Sequence, residues 1–118
     1  MEAKENIIQD KSMSFAIRIV KLCRYIRNEK HEYELASQLL RSGTSIGANI
    51  CESKNAQSRN DFISKLNIAL KESDETLYWL TLLHKAEVLD QHYFESIRKD
   101  CTELIKLLTS IIKTTKET

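Results

Sequence analysis

The stretch E-Y-E-L-A-S-Q-L-L-R-S-G-T-S-I-G-A-N-I-C-E-S-K, residues 32–54, decides the fold. Leu35, Leu39, Ile46 and Ile50 fall on one line of an α-helix, with Leu40 flanking Gly43 and Gly47 on the other side. No turn chemistry interrupts the run except Gly43 and Gly47. These are the only glycines in the chain, and there is no proline. A glycine inside a helix costs about 1 kcal/mol relative to alanine, so two within the apolar stripe imply a reason. Without a Cβ, another helix can press against the backbone there.

The same periodicity continues on both sides. Phe15, Ile19, Leu22 and Ile26 recur at 4-3-4 spacing, giving a helix over about 12–28, with 28–31 as its turn. Helix two covers about 32–54, followed by the polar connection Asn55-Ala56-Gln57-Ser58. Ser58 is placed to cap a third helix over about 59–86, with Asp61 in its first turn. Phe62, Leu66, Leu70, Leu77 and Leu80 are its expected inner line. Asp90 caps a fourth helix over about 91–114, striped by Phe94, Ile97, Cys101, Leu104, Leu108 and Ile111. Residues 1–11 and 115–118 are expected to fray. Short turns make successive helices antiparallel neighbours. The expectation is therefore an all-α, up-down-up-down four-helix bundle, one domain over residues 1–118.

Composition excludes other classes. The chain has 118 residues, 42% hydrophobic and 30% charged, with net charge +1. Without turn residues every eight to twelve positions, a β-rich fold has nowhere to reverse. No apolar run reaches the about 18 residues of a membrane span. The opening M-E-A-K-E-N-I-I-Q-D-K lacks the apolar core of a secretory leader. Cys23, Cys51 and Cys101 are odd in number and widely spaced, so no disulfide framework or zinc site is indicated. All three are placed on apolar helical faces as small hydrophobes, and a cytoplasmic protein is expected.

The segment 41–52 carries a family resemblance. Arg41, Ser45-Ile46, Asn49-Ile50 and Glu52 match a recurrent pattern, supported by S-F-A-I-R-I-V-K-L at 14–22, D-F-I-S-K-L-N-I-A-L-K-E-S at 61–73 and E-T-L-Y-W-L at 75–80. The chain resembles the four-helix-bundle family of the protein encoded by intervening sequences in bacterial 23S rRNA genes. The resemblance implies a ring-shaped homo-oligomer, a pentamer in members of known architecture. A related branch, the accessory proteins of diversity-generating retroelements, binds a reverse transcriptase and nucleic acid through a strongly basic surface. A net charge of +1 departs from that branch.

Surface residues suggest where association occurs. Opposite its stripe, helix two shows Ser37, Arg41, Ser45, Ala48 and Glu52, a back of mostly short side chains. Helix three places Ile68, Trp79 and Leu83 off its inner line, which reads as a subunit interface; alternatively Trp79 fills a groove of its own bundle. Arg41 and Glu52 are roughly 16 Å apart along the axis, so each needs a partner from another helix or subunit. Lys11, Arg18, Lys21, Arg24 and Arg27 form a basic arc on helix one. That arc meets phosphate, or an acidic helix three of a neighbour, or only solvent.

Enzymatic readings find no constellation. His84 precedes Glu87 and His92 precedes Glu95, the reverse of the Glu-x-x-His order of di-metal bundles. Ser42 and Ser45 have no nearby histidine base, and no glycine loop cradles phosphate. No catalytic residue, metal or cofactor is assigned. The expected role is a homo-oligomeric scaffold or adaptor for a protein or nucleoprotein partner, with nucleic-acid binding through helix one as the alternative.

Overall fold

The computed structural model describes residues 2–118, with side chains from Glu5 onward. Four helices are present: α1 Glu2–Lys30, α2 Tyr33–Ser53, α3 Arg59–Lys85 and α4 Gln91–Glu117. Each packs on two neighbours, α1 on α2 and α4, and α3 on α2 and α4, in a rod of 47 × 22 × 19 Å. This is the expected antiparallel bundle. The α1–α4 seam is the slightest of the four.

Local chemistry sets the helix ends. Ser58 Oγ accepts the Asp61 N–H at 3.0 Å, and the Asp61 carboxylate accepts the Gln57 N–H at 3.1 Å. Two orphan amides are thereby satisfied reciprocally at the start of α3. Asp90 accepts the Tyr93 N–H at 2.8 Å and starts α4. The ends of α1 and α3 use left-handed residues that are not glycine, His31 (φ 59°) and Glu87 (φ 66°). Behind them Glu32 N–H reaches Ile26 C=O at 3.3 Å, and Val88 N–H reaches Leu83 C=O at 2.8 Å. These bonds close the last turns in the manner a C-terminal glycine usually allows.

Two expectations about helix extent and facing are corrected. Helix α1 starts at Glu2, not near residue 12, because Ile8 (1% exposed) and Ser12 extend the buried row of Phe15, Ile19, Leu22 and Ile26 by two further turns. The inner line of α3 is Leu66, Ala69, Ser73, Thr76, Leu80 and Leu83, while Phe62, Leu70 and Leu77 are half-buried at the margin of the core. Ala69, Ser73 and Thr76 are small, so close approach outweighs hydrophobicity along that row. Leu83, expected on an outer surface, is 0% exposed and belongs to the core.

The cysteines divide. Cys23 and Cys101 are buried, and their thiols lie against the carbonyls of Ala36 and Ser73. Burial pushes Cys23 up to about 11 and Cys101 up to about 12, the latter aided by Asp74 and Asp100. Cys51, expected on an apolar face, is exposed. It lies on the outward side of α2, away from the buried row of Leu39, Ile46 and Ile50.

The two glycines also differ. A Cβ on Gly43 would stand 2.8 Å from both Cγ1 and Cγ2 of Ile19, atoms close to the α1 backbone that cannot swing away. A Cβ on Gly47 would meet Ser12 Oγ at 3.4 Å, an ordinary contact. The close approach of α1 and α2 therefore rests on Gly43. Gly43→Ala is expected to lower stability by about 1–3 kcal/mol through overpacking. Gly47→Ala should be neutral, or stabilising by up to about 1 kcal/mol through helix propensity. Urea denaturation of the two variants checks this; equal losses would refute the distinction.

Candidate association surface

The motif residues of α2 work on three sides of the helix. Ile46 (0% exposed) and Ile50 (2%) enter the core. Asn49 donates its amide to Ser45 C=O at 2.9 Å, and Ser45 Oγ donates to Arg41 C=O at 2.6 Å, so both polar side chains serve their own helix. Arg41 and Glu52 find partners on α3 of the same chain. Arg41 Nη1 donates to Glu72 at 3.2 Å and Nη2 to Glu75; Lys65 reaches Glu52 at 3.1 Å. Three ion pairs therefore border the α2–α3 seam.

Beneath them, Thr76 Oγ1 meets Ser42 Oγ at 3.0 Å, both residues fully buried. Thr76 also reaches Glu72 C=O and Ser42 reaches Leu39 C=O. Every buried side-chain polar atom among the described residues has a partner, so the seam carries polarity without an unsatisfied group.

Trp79 is half-buried. Its indole N–H donates to Glu75 Oε2 at 3.0 Å, and its ring meets Tyr78 edge-on at 5.1 Å. The indole bond, followed by the bond from Arg41, holds the Glu75 carboxyl below its ordinary 4.5. Ile68 remains 40% exposed and Tyr78 59% exposed, two separate apolar side chains on the outside of α3. Sequence reasoning missed Tyr78, although its place beside Trp79 puts the two rings on one outward edge.

A hollow lies between α1 and α2. It measures about 510 Å³, with Met13 and Ala16 on one wall and Thr44, Gly47, Ala48 and Cys51 on the other. Its α1 side also carries Gln9, Asp10 and Ser12; Met13 is 63% exposed, and Ile17, one turn on and outside the hollow, is 49% exposed. Nothing in the sequence reading pointed to Met13 or Ile17, because both lie off the inner stripe of α1. The small residues opposite them were the available signal.

The basic arc of α1 is largely used within the chain. Lys11 reaches Glu103 at 3.2 Å and Arg18 reaches Asp100 at 2.7 Å, both on α4. Arg18 also lies 5.2 Å over the Tyr93 ring, and Arg27 donates to Ser37 Oγ at 2.8 Å. Lys21 and Arg24 have no ion-pair partner among the described residues. The five cations are not a single row facing outward, and helix four of the same chain meets two of them. His84, near the end of α3, stacks on Phe94 at 4.3 Å with nearly parallel planes. Among the described residues no group of three His, Cys, Asp or Glu side chains converges.

The family model for the 23S rRNA-intervening sequence protein matches residues 4–110. The chain belongs to that family. Among solved structures, it is similar to a protein of unknown function from the S23 ribosomal protein family of Bacteroides thetaiotaomicron, known from a crystal structure at 1.70 Å. Identity is 57%, the match covers 93% of this chain and 98% of the other, and the TM-score is 0.92. No curated protein matches. In this chain Arg41 and Glu52 tether α2 to α3. No helix among the described residues is long and apolar enough to cross a membrane.

The Glu75 environment can be read out directly, because Trp79 is the only tryptophan. Its emission is expected to titrate with a midpoint below the ordinary 4.5, since both the indole and Arg41 favour the carboxylate. Arg41→Gln should raise that midpoint, and Glu75→Gln should remove the transition. A wild-type midpoint at or above 4.5 would show that the Arg41–Glu75–Trp79 network does not form in solution.

Proposed function

We propose that this protein is a non-catalytic, homo-oligomeric scaffold, with copies joined through the hollow between α1 and α2 and the outside of α3. The observation that carries the reading is the pairing of these two surfaces on one chain. One is concave, lined by small residues and by the exposed Met13; the other is the outside of α3, where Ile68 and Tyr78 are exposed. Two unlike surfaces meeting head to tail generate a ring where the rotation closes. The family resemblance favours such a ring, with five copies the expected number. Buried aromatic anchors surrounded by polar borders are the usual make-up of such joints.

The assembled ring would present its remaining helical faces to a protein or nucleoprotein partner. Its setting would be the cytoplasm, where three free thiols persist reduced. The alternative, a nucleic-acid surface along α1, has less support, because Lys11 and Arg18 are already neutralised by α4.

Light scattering should give a mass several times the 13.7 kDa of one chain. Ala48→Glu and Tyr78→Glu change exposed positions on the two surfaces, so each should leave helical circular dichroism intact while shifting the mass toward one chain. Cys51 should react slowly with a thiol reagent in the wild type and quickly in both variants. A wild-type monomer overturns the proposal; full-size assemblies from both variants place the joint elsewhere.

A further inference from the structure

One end of the rod carries a second hollow unrelated to the association surface. There α1 ends, α2 begins, α3 ends and α4 begins. A cavity of about 400 Å³ opens between Leu22 and Tyr25 of α1 and the segment from Leu89 to Tyr93. A second, of about 520 Å³, adjoins it and is lined by Lys30 and Lys85. Tyr25, Val88, Leu89 and Asp90 border both, so the two adjoin as one cleft. Its size falls within the roughly 300–1,000 Å³ of small-molecule sites.

The compartments differ in chemistry. The first is lined by Leu22, Val88 and Leu89 together with Tyr25 and Tyr93, with Lys21 and Asp90 as its charged residues. Tyr25 is 45% exposed, while Tyr93 is half-buried under the Arg18 guanidinium. Such walls suit a planar aromatic group. The second compartment is the more polar, and its lysines stand in the last turns of α1 and α3. Lys30 and Lys85, with Lys21 at the edge of the first compartment, make no ion pair among the described residues. Two acids lie nearby. Asp90 is engaged in capping α4, and Glu87 is exposed in the left-handed turn. Three lysines therefore outweigh them, and unpaired ammonium groups beside an aromatic wall favour an anion.

We propose that this cleft binds a small aromatic anion, a nucleoside phosphate by class, with the base between Tyr25 and Tyr93 and the phosphate met by Lys30 and Lys85. Lys21 adds positive charge at the mouth. The cleft joins a more apolar compartment to one bearing two lysines, as the two halves of such a ligand require. Neither compartment includes the hollow or the α3 surface assigned to self-association, so this site stands whether or not the protein forms a ring.

Calorimetry and amide NMR with AMP on the full chain test the proposal. AMP is expected to bind saturably, with adenosine and inorganic phosphate each about tenfold weaker or more. Tyr25→Ala should weaken AMP about tenfold through lost stacking. Lys30→Ala with Lys85→Ala should weaken it several-fold and flatten its salt dependence. Lys113→Ala, at the opposite end, should change nothing; the substituted residues are all exposed, so circular dichroism should hold throughout. A short oligoadenylate that displaces AMP and depends on the same residues identifies a strand as the source of base and phosphate. An oligoadenylate that fails to displace AMP identifies the free nucleotide. The proposal is overturned by absence of saturable binding to either ligand, or by binding indifferent to Tyr25 and the lysine pair. Adenosine or phosphate binding as tightly as AMP also overturns it.

Discussion

Ser42 and Gly43 are consecutive residues that face different helices, and the bundle depends on what neither of them carries. Gly43 has no Cβ, which lets Ile19 of α1 approach the α2 backbone. Ser42 has only a hydroxyl, which lets Thr76 of α3 approach from the other side and fixes the register by a buried bond. A single turn of α2 thus sets the distance to both neighbours. A larger residue at either position would have to push one seam apart, and interiors packed at crystal-like density tolerate this poorly. The ion pairs at the surface, Arg41 with Glu72 and Glu75 and Lys65 with Glu52, border the seam and contribute little individually, about 0–1 kcal/mol each. Their contribution is orientation.

The same thinness shapes the exterior. Helix α2 is slender on its outward side as well, where Ser37, Thr44, Ser45 and Ala48 carry short side chains. Its flanking helices bear Met13, Ile17, Ile68 and Tyr78, which stand out beside it. One economy of side-chain volume produces both the tight interior seams and the hollow outside. Substitutions that fill the outer face would therefore act on association, and those that fill the inner faces would act on folding.

The architecture was legible because the outer three turns announce themselves and the stripes of α1, α2 and α4 are strongly apolar. Ser58 and Asp90 were readable as caps because each is a short polar acceptor directly before an amphipathic run. The facing of α3 was harder. Its loudest residues, Leu70 and Leu77, are marginal, while the inner row runs through Ala69, Ser73 and Thr76. Periodicity weighted by hydrophobicity follows leucine, and a row chosen for closeness is quiet by that measure. Ile8 was missed for a related reason: it continues the spacing of Phe15 and Ile19 through Ser12, a polar residue in a buried place. The partners of Arg41 and Glu52 could be assigned to another helix but not to α3, since spacing within one helix says nothing of rotation about its neighbour. The end cleft was invisible because Tyr25 and Tyr93 are 68 positions apart and come to line one cavity only through the closure of the bundle.

The slight seam between α1 and α4 has a kinetic consequence. Three of the four seams join helices adjacent in sequence, so most of the structure can form through local hairpins. Only α1 and α4 must find each other across most of the chain, as the Arg18–Asp100 and Lys11–Glu103 pairs do. The chain entropy of that closure is lost before its few contacts repay it. The bundle should therefore assemble rapidly as an open row of helices and close along this edge last. By the same account, amide exchange that proceeds without global unfolding belongs to the edge where α1 swings from α4.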